Sequence, residues 1–203
     1  MEAIMNFAVL ASGNGSNVQA IIKAVKSKAI KAKLAVVISD KQDAYALVRA
    51  RKAGVPAVFI NPKDFSDRVS FDRALLKCLK EAEIDFVVLA GFMRILSAPF
   101  IQAFPNKILN VHPALLPAFK GARAIRDAFD LGVKVTGITV HFVDEEIDNG
   151  AVIAQEAVDI KPKDTLAKLE ERIHKAEHRI YPKVIGLYAA GKIKVQGRTV
   201  KIG

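Results

Sequence analysis

Four times in its first 104 residues this chain follows a short apolar run with a longer amphipathic one, and that alternation limits its possible folds more than any other feature. The apolar runs cover residues 6–11, 34–39, 57–60 and 85–90, and the helical patterns cover 18–29, 43–53, 65–83 and 98–104. A strand that is apolar on both sides must be covered on both. Strands separated by helices can meet only through crossovers, so the pattern predicts a parallel sheet with helices on both faces.

The pattern changes in the second half. Ile108-Leu109-Asn110-Val111-His112-Pro113 reads as a fifth strand, ended by a proline that cannot extend the ladder. A loop and a short helix at 124–131 lead into apolar stretches at 135–143 and 151–160, joined by the polar turn from Asp144 to Gly150. Two strands joined in this way predict an antiparallel extension of the sheet. A long helix follows, with Asp164 as its expected N-cap and Leu166, Leu169, Ile173, Ala176, Ile180, Val184 and Leu187 at helical spacing. Residues 192–201 read as a hairpin turning near Gln196-Gly197. No repeat or linker interrupts the 203 residues, so the expectation is one domain over 1–203 whose halves, 1–110 and 111–203, meet at a cleft.

The polar residues on the fifth strand carry the chemistry. Side chains two apart on a strand share a face, so Asn110 and His112 project together at a strand's carboxyl end, where open α/β sheets place ligands. An amide that steadies an oxyanion beside an imidazole that moves a proton suits acyl chemistry. Asp148 lies in a turn that the fold could return to His112. In isolation Asn110 reads better as a turn cap, His112 as a loop histidine and Asp148 as a turn residue before Asn149-Gly150. Their joint order and spacing favour function.

A second motif, Ser12-Gly13-Asn14-Gly15-Ser16-Asn17, joins the first strand to the first helix. Small residues let backbone approach an anion, and the helix start offers free N–H groups. The loop also matches the first two glycines of a dinucleotide fingerprint, with Asp40 after the second strand. Val18 replaces the third glycine, so a terminal monophosphate fits better than a pyrophosphate. His174-Lys175-Ala176-Glu177-His178 spells a zinc-protease motif, but no Asp, Glu, His or Cys follows His178. A third ligand could therefore come only from upstream, and no metal is expected.

Composition narrows the classes further. Hydrophobic residues make up 51% and charged residues 26%, which describes an ordinary soluble protein. No apolar run is long enough to span a bilayer. The stretch from Ala3 to Ala11 follows Glu2, contains Asn6 and lacks a basic leader, so it predicts a strand and not a signal peptide. Cys78, the single cysteine, excludes an intramolecular disulfide and fits a reducing cytosol; its place among Leu75, Leu76 and Leu79 predicts buried packing. The net charge of +10 is spread through the chain without a stripe of interleaved aromatics. Its nearest approach to a patch is the stretch from Arg179 to Gly203, with six basic residues and no acidic one. Solubility ranks first as the reason for the charge, small anionic substrates second and nucleic acid third.

With these motifs in order, the chain resembles the glycinamide ribonucleotide transformylase family over nearly its whole length. The resemblance rests on residues 12–17, 90–96, 110–113, 115–117 and 137–148, and on Glu177-His178 with Tyr181-Pro182. It implies a formyltransferase-like α/β fold with a Rossmann-like N-terminal half. It also implies transfer of a formyl group from 10-formyltetrahydrofolate, a co-substrate, to the amine of phosphoribosylglycinamide in purine biosynthesis, without a metal. Carried over by position, Gly15, Ser16 and Asn17 hold the substrate phosphate and Glu177 meets the ribose. Arg68, Met93, Arg94, Ile95, Leu96 and Asn110 serve the folate. Asn110, His112 and Asp148 form the catalytic trio, in which the carboxylate raises the pKa of His112 and so favours its charged form. The resemblance implies small-molecule partners, no nucleic acid or membrane, a cytoplasmic setting, and a monomer or homodimer. Another folate-dependent formyltransferase, a formyltetrahydrofolate hydrolase and a non-catalytic nucleotide-binding protein are the alternatives. Ala114, Arg123 and Ala151 depart from the residues relatives commonly carry, which puts substrate contacts and loop order in question while leaving the trio intact.

Overall fold

A computed structural model describes residues 4–203; Glu2 and Ala3, at the head of the predicted first strand, lie outside the described residues. The strands β1 (Asn6–Leu10), β2 (Lys33–Ser39), β3 (Ala57–Phe59), β4 (Phe86–Leu89) and β5 (Ile108–His112) pair in parallel in the order β3-β2-β1-β4-β5. Two antiparallel strands, β6 (Val135–Phe142) and β7 (Val152–Asp159), continue the sheet beyond β5 to seven strands. Helices α1 (Ser16–Lys26), α2 (Tyr45–Lys52), α3 (Arg68–Glu81), α4 (Ala98–Ala103), α5 (Ala124–Leu131) and α6 (Leu166–Ala189) cover it, and the strands β8 (Ile193–Gln196) and β9 (Thr199–Ile202) form a separate hairpin.

The composition of β1 shows why a parallel strand buried on both faces is apolar along its interior. Phe7 and Val9 face a core shared with Val18 and Ile21 of α1, Leu47 of α2, and Leu169, Ile173 and Ile185 of α6. Ala8 and Leu10 face the opposite core, with Phe71, Leu75 and Leu79 of α3 and Phe100 of α4. Both faces are sealed from Phe7 onward, and the one polar residue of β1, Asn6, stands half-buried at its start. Each fully buried Leu, Ile or Phe side chain contributes about 1.5–3 kcal/mol relative to exposure. Among the described residues no helix is long and apolar enough to cross a membrane.

The strand order reverses direction between β1 and β4, which opens a crevice at their carboxyl ends. The loops that follow these two strands are tied together there. Ser12 N–H donates to Gly91 O (3.0 Å) and Met93 N–H donates to Ser12 Oγ (2.9 Å). The buried carboxylate of Asp72, on α3, accepts the Ser97 N–H at 2.6 Å and fixes the far end of the second loop.

Several boundaries differ from expectation for local reasons. The first helix starts at Ser16, directly after Gly15, and stops at Lys26 before Lys28 takes φ +62°. Phe65 is extended and does not open a helix: a 3-10 turn at Pro62–Asp64 precedes it, and Asp67 caps α3 by accepting the Ser70 N–H at 2.7 Å. Thr165, not Asp164, caps α6. The Asp164 carboxylate accepts the Lys161 N–H and both Arg172 terminal nitrogens, at 2.8 and 2.9 Å. The Arg172 guanidinium holds that carboxyl down to about 2. Cys78 is half-buried at the edge of the second core, and burial pushes its thiol up.

Candidate active site

The last residues of β5 carry Asn110 and His112, and the adjacent antiparallel strand supplies their neighbours. Asn110 stands opposite His141 and His112 opposite Thr139. Both histidines are nearly inaccessible, at 4% exposure for His112 and 2% for His141.

His112 is held from both sides. Its Nδ1 lies 3.3 Å from Asp148 Oδ2, and its Nε2 lies 2.8 Å from the Phe119 carbonyl. A carboxylate and a carbonyl only accept, so the ring donates to both at once when it carries both protons. Asp148 is itself pinned, because its Oδ2 accepts the Gly121 N–H at 2.8 Å. It sits at φ +49°, an uncommon conformation for a residue with a side chain. Gly150 closes the same turn where no other residue fits: a Cβ there would lie 1.9 Å from Phe142 O. The loop that delivers Asp148 is thus constrained by backbone contact as well as by hydrogen bonds.

His141 is the polar residue that sequence reasoning passed over. Its Nδ1 lies 2.7 Å from Phe142 O, which can only accept, so the proton sits on Nδ1. Nε2 is then an acceptor, 3.1 Å from Asn110 Nδ2, and takes one of the amide's two protons. Burial pushes the His141 pKa down, outweighing the Phe142 hydrogen bond and the attraction of Asp148, whose Oδ1 is 3.7 Å away. A neutral His141 therefore fixes which way the Asn110 amide faces. The available signal was a histidine at alternate spacing with Thr139 in the largely apolar run 137–142. Sequence alone gave no register to set it against Asn110.

A cavity of about 440 Å³ opens over this cluster and is lined by Asn110, His112, His141 and Asp148 together with Met93, Arg94, Ile95 and Leu96. Met93 and Ile95 from the loop after β4, and Ile147 from the Asp148 turn, expose more than half their surface at its rim. Apolar residues exposed together across an opening are a mark of a binding site. Leu96 also packs into the second core. The Arg94 guanidinium lies over the Phe71 ring, 4.6 Å from its centre, with its Nε buried and unpaired. Arg68 is not on the cavity wall; it is exposed in the first turn of α3.

The glycine loop forms a neighbouring site. Gly15 takes φ +72°, and a Cβ there would lie 2.7 Å from Ala46, so packing against α2 by itself demands glycine. No side chain caps α1, which leaves the first N–H groups of the helix free for a ligand. Asn17 Nδ2 donates to Glu177 Oε2 at 2.9 Å, and His174 Nδ1 lies 3.0 Å from the same oxygen. Glu177, 4% exposed, is thus turned inward to the loop and is not an ordinary surface charge. The hydrogen bond to Glu177 pushes the His174 pKa up, while burial pushes His178 down. Ser16, Lys23, Arg49 and His178 line a hollow of about 610 Å³ beside the loop. Of the departures, Ala114 is fully buried with its carbonyl accepting Thr139 Oγ1, Arg123 pairs on the surface with Asp127, and Ala151 is half-buried.

Comparison with known proteins identifies the family. Residues 5–185 match the formyl transferase family. The chain is 49% identical over 188 residues to the human trifunctional purine biosynthetic protein adenosine-3, covering 93% of this chain and 19% of that protein, so it spans about a fifth of that relative's length. It is 45% identical over 179 residues to the phosphoribosylglycinamide formyltransferase of Bacillus subtilis, covering 88% of this chain and 92% of the relative. The crystal structure of glycinamide ribonucleotide transformylase 1 from Symbiobacterium toebii superposes with a TM-score of 0.97 at 47% identity, covering 100% of this chain and 95% of that one. On a family match over most of its length and relatives at this level of identity, the chain belongs to the formyl transferase family.

Proposed function

We propose that this protein transfers the formyl group of 10-formyltetrahydrofolate to the amine of 5-phosphoribosylglycinamide, a step of purine biosynthesis. The observation that carries the reading is the His112–Asp148 pair, at 3.3 Å, on the floor of a cavity that Asn110 shares and that adjoins the glycine loop. Gly15, Ser16 and Asn17 bind the substrate phosphate through the free N–H groups of α1, with cationic side chains nearby, and Glu177 accepts from the ribose hydroxyls. Met93, Ile95 and Leu96 pack against the folate ring, and Arg94 balances negative charge on the folate side. Arg68 reaches the folate only at its outer, exposed end. The half up to residue 110 carries the phosphate loop together with Met93 to Leu96 on the folate side, and the half beyond it supplies the Asp148 loop and Glu177. No metal is needed, because the formyl carbon arrives activated on the folate. The single cysteine suits a reducing cytoplasm.

The substrate amine attacks the formyl carbon, a C–N bond forms, and the carbonyl oxygen gains negative charge. His112 Nε2–H turns from Phe119 O to that oxygen, and the second N–H of the Asn110 amide joins it. Asp148 keeps the ring oriented and balances its positive charge. The proton lost by the attacking amine passes through water to N10 of the folate, the C–N10 bond breaks, and the formylated product and tetrahydrofolate result. The test is a spectrophotometric assay of folate release from 10-formyl-5,8-dideazafolate, with and without phosphoribosylglycinamide. Release that requires the ribonucleotide is the expected result. Release without it identifies a hydrolase, and no release in either case refutes the proposed acceptor.

A further inference from the structure

The carboxyl-terminal hairpin touches the turn that carries Asp148. It lies beyond residue 185, where the family match ends, and its basic residues belong to the cationic stretch that the proposed reaction leaves unused. The hairpin has a fixed seat, because Ile193, Val195 and Val200 pack against the main core. A two-residue turn at Gly197-Arg198 joins its strands, with Gly197 at φ +61°, as a tight hairpin turn requires. From that turn the Arg198 Nη2 donates to the Asn149 carbonyl at 2.7 Å. Asn149 is the neighbour of Asp148, and its side chain is also held, donating to Asp144 Oδ2 at 3.2 Å and accepting from Lys120 Nζ at 3.4 Å.

We propose that Arg198 is a positioning residue: it latches the core-packed carboxyl-terminal hairpin to the backbone of the Asp148 turn and so holds the carboxylate against His112. The proposal rests on the formyl-transfer reading for its kinetic consequence, though not for the latch itself. Asp148 occupies an uncommon backbone conformation, and such a residue stays in place only when its surroundings fix it. A charge-assisted bond to the carbonyl of the next residue, Asn149, fixes the chain just beyond that conformation. Arg198 does not line the cavity.

The test compares wild type, Arg198→Ala, Arg198→Lys, Asp148→Asn and the Arg198→Ala/Asp148→Asn double variant in the formyl-transfer assay. Arg198→Ala is expected to lower kcat roughly 3- to 10-fold while the KM for each substrate changes by less than about twofold. The urea midpoint should not move, and Arg198→Lys should recover part of the loss. In the Asp148→Asn background the same change should have no further effect, because the latch acts only through that carboxylate. A wild-type kcat in Arg198→Ala, or the full loss repeated on top of Asp148→Asn, overturns the proposal. Amide hydrogen exchange over residues 144–150 reads the latch without substrate. Faster exchange in Arg198→Ala supports it even if the wild type proves inactive on this acceptor, an outcome that counts against the proposed function alone; equal exchange refutes it.

Discussion

Asn110 and His141 face each other across the β5–β6 pair, with the amide nitrogen 3.1 Å from a ring nitrogen that can only accept. The Asn110 amide is therefore oriented by a neutral histidine, and the orientation depends on the ring's proton.

Removing the acceptor should show this. His141→Ala is expected to lower kcat by about 10-fold, the factor that 1.4 kcal/mol supplies, with a smaller effect on KM. His141→Gln, whose side-chain oxygen also accepts, should recover part of the loss. The ring's depressed pKa has a consequence for stability as well. The unfolded chain binds the proton more readily than the folded one below the ordinary value of 6.5, so His141 contributes full stability above that pH and loses it as pH falls through the folded value. Urea midpoints should drop more for wild type than for His141→Gln between about pH 7 and pH 5. Parallel curves would mean that the ring is not buried neutral.

His112→Ala should remove proton transfer and oxyanion stabilisation together. A loss in kcat of about 10²–10⁴-fold is expected, with ribonucleotide affinity nearly unchanged, because the ring's partners are Phe119 and Asp148 and not the glycine loop or Glu177. Rapid-quench kinetics alongside equilibrium binding of the ribonucleotide would separate the two effects. A variant that keeps its rate would exclude His112 from the chemistry.

The two glycines of the first loop should respond differently to a methyl group. Gly15→Ala places a Cβ 2.7 Å from the Ala46 backbone at positive φ, whereas a Cβ at Gly13 meets nothing within 4 Å. Gly15→Ala should cost about 2–4 kcal/mol by urea denaturation and Gly13→Ala less than about 0.5. Equal costs would mean that α2 withdraws from the loop.

Sequence periodicity was enough to place the parallel half, because positions buried on both faces are apolar, as residues 7–10 of β1 and all of β4 show. The pairing of Asn110 with His112 was legible for the same reason: period two is a local property. Asp148 could be named but not placed, because its return to His112 depends on how far β6 and β7 run before turning. His141 was hidden by the same missing register, and Arg198 by the docking of a hairpin that shares no local pattern with the turn it touches. Asp164 misled because a helix start and an arginine partner ask for the same kind of residue. The partner, Arg172, lies two turns along the helix.

Glu177 ties Asn17, beside the glycine loop, to α6, and its role can be read without turnover. Its Oε2 takes both the Asn17 amide and the His174 ring, which raises the His174 pKa. In wild type the His174 ring, followed by NMR, should titrate above 6.5. In Glu177→Gln the titration should move down, because the charge that favoured the protonated ring is gone. The stability from this pair is present below the ordinary value and is lost as pH rises through the raised one, opposite in sign to His141. If Glu177 also receives the ribose hydroxyls, the same variant should raise the KM for the ribonucleotide by about 10-fold or more and change the KM for the folate little. A shifted His174 titration with an unchanged KM would leave Glu177 a strut between α1 and α6; both changes together would make it the floor of the ribonucleotide site.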